Sequence, residues 1–160
     1  MSPATALAFA RDPVTTIHSE LLGTLRVEDD ALIRFPVGLF GFPDCSHFVL
    51  LPAEREGLHW LQSAEHSALV FLLADPFLFF ADYAVDLGAV ERAELQIQDA
   101  SDVAILAIVT LPRTRAEKPT ANLQGPLAFN LRQRLAKQLA ISEREWGMRR
   151  PFEFAAPRGE

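Results

Sequence analysis

Short runs of apolar residues separated by proline, glycine and acidic residues set the rhythm of this chain, and the period of those runs is nearer two than 3.6. Thr16–Ser19, Gly23–Val27 and Ala31–Phe35 have the length and alternation of strands, with Glu28, Asp29 and Asp30 as a turn, and their spacing predicts a meander. Phe48–Leu51, Leu58–Gln62 and Ala68–Leu73 predict three more strands. Val103–Leu111 is apolar on both alternating faces, which predicts a strand covered on both sides at the centre of the sheet system. Leu127–Leu131 follows Gly125-Pro126 as a further strand. Gly88–Leu95 is loosely spaced for a short helix, and Pro112–Pro119 reads as a polar, basic, mobile loop. Leu131, Leu135 and Leu139 recur at i, i+4, so the 131–141 segment is open between helix and strand.

Many short strands with proline and glycine turns predict an all-β fold, a compact β-barrel-like single domain with one or two short helices. A chain of 160 residues suits one domain. Its expected limits are a disordered leader over residues 1–14, the domain over 15–152 and a tail over 153–160. Ala6–Ala10 lacks a preceding basic region and runs directly into Arg11 and Asp12, which argues against a signal peptide. The apolar run Ala68–Ala74 is far too short to cross a bilayer as a helix. Cys45 is the only cysteine, so no intramolecular disulfide is possible, and a cytoplasmic location is expected.

Charge narrows the choice of partners. From Asp75 to Asp102 there are seven acids, Asp75, Asp82, Asp86, Glu91, Glu94, Asp99 and Asp102, against Arg92 alone. That local balance of −6 equals the net charge of the whole chain, so the remainder is neutral overall. Such a region repels phosphates, and direct nucleic-acid binding is not expected. It suits either solubility or a basic protein partner.

Catalytic and metal signatures are absent from the sequence. Cys45, His47, His59 and His66 do not match the paired spacings of zinc ligands, and no metal or cofactor is expected. There is no nucleophile elbow, phosphate-binding loop or dinucleotide fingerprint. An enzyme would have to use the Asp82-Tyr83 region with a nearby histidine, and no spacing selects one.

The segment Phe35–Pro43 is the most informative. Gly38 and Gly41 permit turns while Pro36 and Pro43 restrict the chain at both ends. Phe35 and Phe42 are expected to anchor in the core, and Leu39 and Phe40 to reach a partner from the loop tip. Replacing both tip residues by serine is therefore expected to spare stability. Tyr83, beside Asp82 and after the aromatic run Phe77–Phe80, is expected to cap that run with a polar contact. Most of the phenylalanines in the run are expected in the core. Asn122 and Gln124 lie in a turn-rich segment, where they satisfy local backbone or meet a partner's backbone.

In order, Ile33-x-Phe35-x-x-Gly38-Leu39-x-Gly41-Phe42, Phe48–Leu51, Leu61–Ser63, Asp75-Pro76, Phe79-Phe80-x-Asp82-Tyr83, Val109–Leu111, Thr120–Gln124-x-Pro126 and Asn130 resemble the bacterial flagellar assembly factor FliW family. The match runs from about Thr15 to Ser142. The resemblance implies a β-barrel-like, non-catalytic protein with two partners, flagellin and the RNA-binding translational repressor CsrA. It further implies a switch, in which the factor freed by flagellin export binds CsrA and relieves repression of flagellin translation. Leu39, Phe40, Asp82, Tyr83, Asp86, Glu91, Glu94, Asn122 and Gln124 are the candidate partner-binding residues, on a chain expected to be monomeric. Family members continue with two strands joined by a turn that commonly carries glycine before a Lys-Gln pair. Here Ala136 precedes Lys137-Gln138, and strands are favoured over the helix.

Overall fold

The computed structural model of the protein describes residues 13–143 and 145–154. The expected leader and tail therefore fall largely outside the described residues, although the first strand already begins at Val14. Among the described residues eleven strands run in chain order: β1 (Val14–Ser19), β2 (Gly23–Glu28), β3 (Leu32–Arg34), β4 (His47–Pro52), β5 (Leu58–Ser63), β6 (Val70–Ala74), β7 (Val103–Thr110), β8 (Thr120–Ala121), β9 (Leu127–Asn130), β10 (Leu135–Gln138) and β11 (Arg150–Pro151). Two short helices, α1 (Pro76–Phe79) and α2 (Ala89–Glu94), lie between β6 and β7. Among the described residues no helix is long and apolar enough to cross a membrane.

Closure makes the architecture a barrel. Strands run β7-β6-β5-β4-β3-β10-β9, and β9 returns to pair with the first half of β7. Seven strands form the ring, with β3–β10 its one parallel contact, at Leu135 and Arg34. The far end of β7 stays paired with β6 but takes β8 in place of β9, and β8 carries β11. β1 and β2 form a separate antiparallel ribbon, so the expected meander is corrected. A 3-10 turn at Asp29–Ala31 redirects the chain, and β3 joins the barrel by pairing with β4 instead of β2.

The apolar strands follow from a wall with cores on both sides. Neighbouring residues alternate between them: Leu73, Leu106, Phe129 and Ala136 point into the barrel, while Leu72, Ala107, Ala128 and Leu135 pack outside it. A strand with both faces covered has no polar face to show, as β7 displays. Inside, Phe35 makes edge-to-face contacts with Phe48 at 5.0 Å and Phe129 at 5.8 Å, the geometry aromatic quadrupoles favour. Outside, one cluster gathers Leu58, Phe80, Tyr83, Leu123 and Phe152 near α1, and another gathers Leu95, Leu135 and Leu139 near α2.

Two further sequence expectations change. The 131–141 segment is a turn followed by β10, as favoured, but the turn is at residues 131–134 and Ala136 sits fully buried within the strand. Asn130 makes the turn without glycine: its Oδ1 accepts from the amides of Arg132 and Gln133, and Arg134 takes the left-handed backbone at φ 55°. The aromatic run is less buried than expected, with Phe77 and Leu78 both about half exposed. It forms α1 because the Asp75 side chain accepts from the Phe77 amide and Pro76 occupies the first helical turn.

Candidate functional site

The Phe35–Pro43 segment closes on itself at its tip. The amide of Leu39 donates to the Phe42 carbonyl at 3.1 Å, and the amide of Phe42 donates back at 2.8 Å. Phe40 and Gly41 make the turn between them, with Gly41 at φ 87°. Gly38 is required twice over: its φ is 69°, and a Cβ there would fall 2.5 Å from the Phe42 carbonyl oxygen.

This closure corrects the expected division of the segment. Leu39 is 3% exposed and belongs to the barrel core, whereas Phe42 is 39% exposed and rests edge-on against Phe71. Leu39 and Phe42 are bridge partners across the turn, and Leu39 is the one that packs with Ile33 and Phe35 in the core while Phe42 rests on its edge. Phe35 is fully buried as expected, and Phe40, 60% exposed, is the tip's free ring.

Phe40 lines a groove of about 370 Å³ with Asp86, Leu87, Glu91 and the segment from Lys137 to Ile141, which leads out of β10. Aromatic and acidic candidates more than 40 residues apart in sequence thus share one surface. Asp86 and Leu87 also line an adjoining cleft of about 700 Å³, bounded by Arg92 and Ala93 of α2 and by Gln96–Ala100. On the other side of the tip, Phe42 lines an apolar cleft of about 320 Å³ with Cys45, His66, Ala68 and Leu69. Burial raises the Cys45 thiol pKa, and the neighbouring Glu65 and Asp44 charges add to the effect.

The acids are not equivalent. Glu94 accepts from Lys137 Nζ at 2.8 Å, Asp102 lies 3.5 Å from Arg132, and Asp99 caps the 3-10 turn at Ala100–Asp102. Asp86 and Glu91 are the acids that line the Phe40 groove. Asp82 is exposed on the turn after α1 and lines none of the three clefts.

The remaining candidates hold the scaffold. Tyr83 is 5% exposed and makes the polar contact expected of it: its hydroxyl donates to the Leu123 carbonyl at 2.7 Å, and its ring meets Phe77 at 5.7 Å and Trp146 at 4.9 Å. Burial, assisted by Glu143, pushes the phenol well above its ordinary pKa. Asn122 Oδ1 accepts from the amides of Gln124 and Gly125, which is local turn chemistry. The Gln124 carbonyl accepts from the Ile141 amide, tying this turn to the groove wall.

Sequence reasoning missed Lys137–Ile141 as part of the site, because the pattern over 131–141 fitted a helix as well as a strand. Among the described residues no group of three or more His, Cys, Asp or Glu side chains could hold a metal ion.

Comparison with known proteins agrees with this architecture. The family model described as FliW protein matches residues 16–152. The flagellar assembly factor FliW of Natranaerobius thermophilus is 35% identical over 137 residues, covering 85% of this chain and 91% of that protein. Its counterpart in Moorella thermoacetica is 40% identical over 126 residues, covering 78% of this chain and 80% of the relative. A crystal structure of the flagellar assembly factor FliW superimposes with a TM-score of 0.76 at 31% identity, covering 91% of this chain and 99% of the other. With the seven-stranded closure and the turn motifs in their places, the chain belongs to the FliW family of flagellar assembly factors.

Proposed function

We propose that this protein is a non-catalytic, monomeric binding factor of the cytoplasm that binds flagellin and, when free of it, binds CsrA and relieves repression of flagellin translation. The observation that carries the reading is the groove in which the exposed Phe40 ring and the Asp86 and Glu91 carboxylates share one surface. An aromatic ring supplies apolar contact area, and acids at its rim steer a cationic partner. An RNA-binding protein presents such cations. Acidic groups brought beside its RNA surface also repel phosphate, so RNA is expelled without its site being occupied.

Flagellin and CsrA, each titrated with the purified protein and then in competition, test the reading. Binding to both, with flagellin displacing CsrA, supports it. Binding to flagellin alone would reduce the role to that of a flagellin chaperone, and binding to neither would refute it.

A further inference from the structure

Gln138 lies at the end of β10, 5% exposed, and both ends of its amide are engaged. Its Oε1 accepts from the Phe40 amide at 2.8 Å, and its Nε2 donates to the Gly125 carbonyl at 2.9 Å. The hydrogen bonds that close the loop tip join Leu39 and Phe42, and neither uses the Phe40 amide. Gln138 therefore supplies that amide's partner from a strand 98 residues away.

The second contact is built to fit. A Cβ on Gly125 would lie 3.0 Å from Gln138 Nε2 and 2.9 Å from Asn122 Nδ2, so the glycine leaves room for both amides. Asn122 holds Gly125 in place through its own turn. Glutamine is suited to this position because one side chain must accept at the tip and donate at the turn. Glutamate accepts without donating, lysine donates without accepting, and methionine of similar size does neither.

We propose that Gln138 is a positioning residue for the partner groove: it ties the backbone of Phe40 to the Asn122–Gly125 turn and so fixes the ring beside Asp86 and Glu91. The proposal rests on the binding function given above and assigns Gln138, Gly125 and Asn122 a part in it. A part-buried hydrogen bond to the backbone at the base of an exposed side chain orders that backbone before binding, which reduces the ordering cost on association.

The test has two arms. Without any partner, amide hydrogen exchange is followed residue by residue in the wild type, in Gln138→Met and in Gly125→Ala. The alanine variant displaces the glutamine amide without replacing it, and serves if Gln138→Met fails to fold. Exchange at Phe40 should accelerate about tenfold or more, with Leu39 and Phe42 still protected by their mutual bonds. With flagellin and with CsrA, affinities are measured for wild type, Gln138→Met, Phe40→Ser and the double variant. Gln138→Met should weaken binding about tenfold, yet add nothing once Phe40 is serine. Unchanged Phe40 exchange, or an equal loss in both backgrounds, overturns the proposal, because Gln138 would then act independently of Phe40. Wild-type protein that binds neither partner refutes the binding function itself, a result distinct from an additive cycle.

Discussion

Neighbouring residues in one loop have opposite roles. Leu39 is packed among Ile33, Phe35 and Phe48 inside the barrel, while Phe40 is out in solvent. Leu39→Ser should cost about 3 kcal/mol or more, because it removes buried apolar volume and leaves a hydroxyl in its place. Phe40→Ser should change stability by less than about 0.5 kcal/mol. Thermal melts separate the two: the first should fall by roughly 10 °C and the second hardly move. The sequence showed that this segment was shaped, since its glycines and prolines were plain. It did not show which apolar residue turned inward, because that depends on how the closed tip packs against the barrel. Tyr83 makes the polar contact its sequence context suggests, but the exposed neighbour Asp82 gave no sign that the hydroxyl ends on a backbone carbonyl inside the fold. His59 carries a pH dependence. Its Nδ1 is buried without a hydrogen-bond partner, and burial lowers its pKa from 6.5, opposed in part by the charge of Asp75. The unfolded chain takes up this proton at a higher pH than the folded one, so the contribution is complete above 6.5 and is lost as the pH falls below it. The melting temperature of wild type should therefore drop more steeply from pH 7 to pH 5 than that of His59→Gln.

At the scale of elements, hydrophobic alternation marked most barrel strands, and the doubly apolar β7 is at the junction of β6, β8 and β9 as its pattern required. Local chemistry decided what periodicity left open. Asn130 is fully buried, with Nδ2 donating to the Leu95 carbonyl at 2.8 Å and Oδ1 accepting from two turn amides. It joins the β9–β10 turn to the end of α2, and no spacing rule over leucines could have revealed that. Asn130→Asp keeps the acceptor but replaces the donor with an acceptor facing a carbonyl. A loss of about 2 kcal/mol or more is expected by denaturant titration. Gly38 is a similar element-level constraint. Gly38→Ala should destabilise more than Gly41→Ala, since both strain a left-handed backbone but only the first also drives a Cβ into backbone oxygens. Equal midpoints for the two variants would contradict the described turn.

The groove exists only at the scale of the whole molecule. Barrel closure brings the loop before β4, the segment around α2 and the end of β10 to one surface, which is why Phe40, Asp86, Glu91 and Lys137 are separate signals in the sequence and neighbours in the structure. The excess of acid between residues 75 and 102 was legible from composition, but its pairing was not. Glu94 is committed to Lys137 and Asp102 lies beside Arg132, which leaves Asp86 and Glu91 as the acids to alter when binding is tested. The most direct measurement is a calorimetric titration of CsrA, at low salt, with wild type, Phe40→Ser and the paired charge reversal Asp86→Lys with Glu91→Lys. The proposed partner groove requires each variant to bind at least about tenfold more weakly than wild type at an unchanged melting temperature, with the charge reversal losing more at low salt than at high. Wild-type affinity in both variants would contradict it.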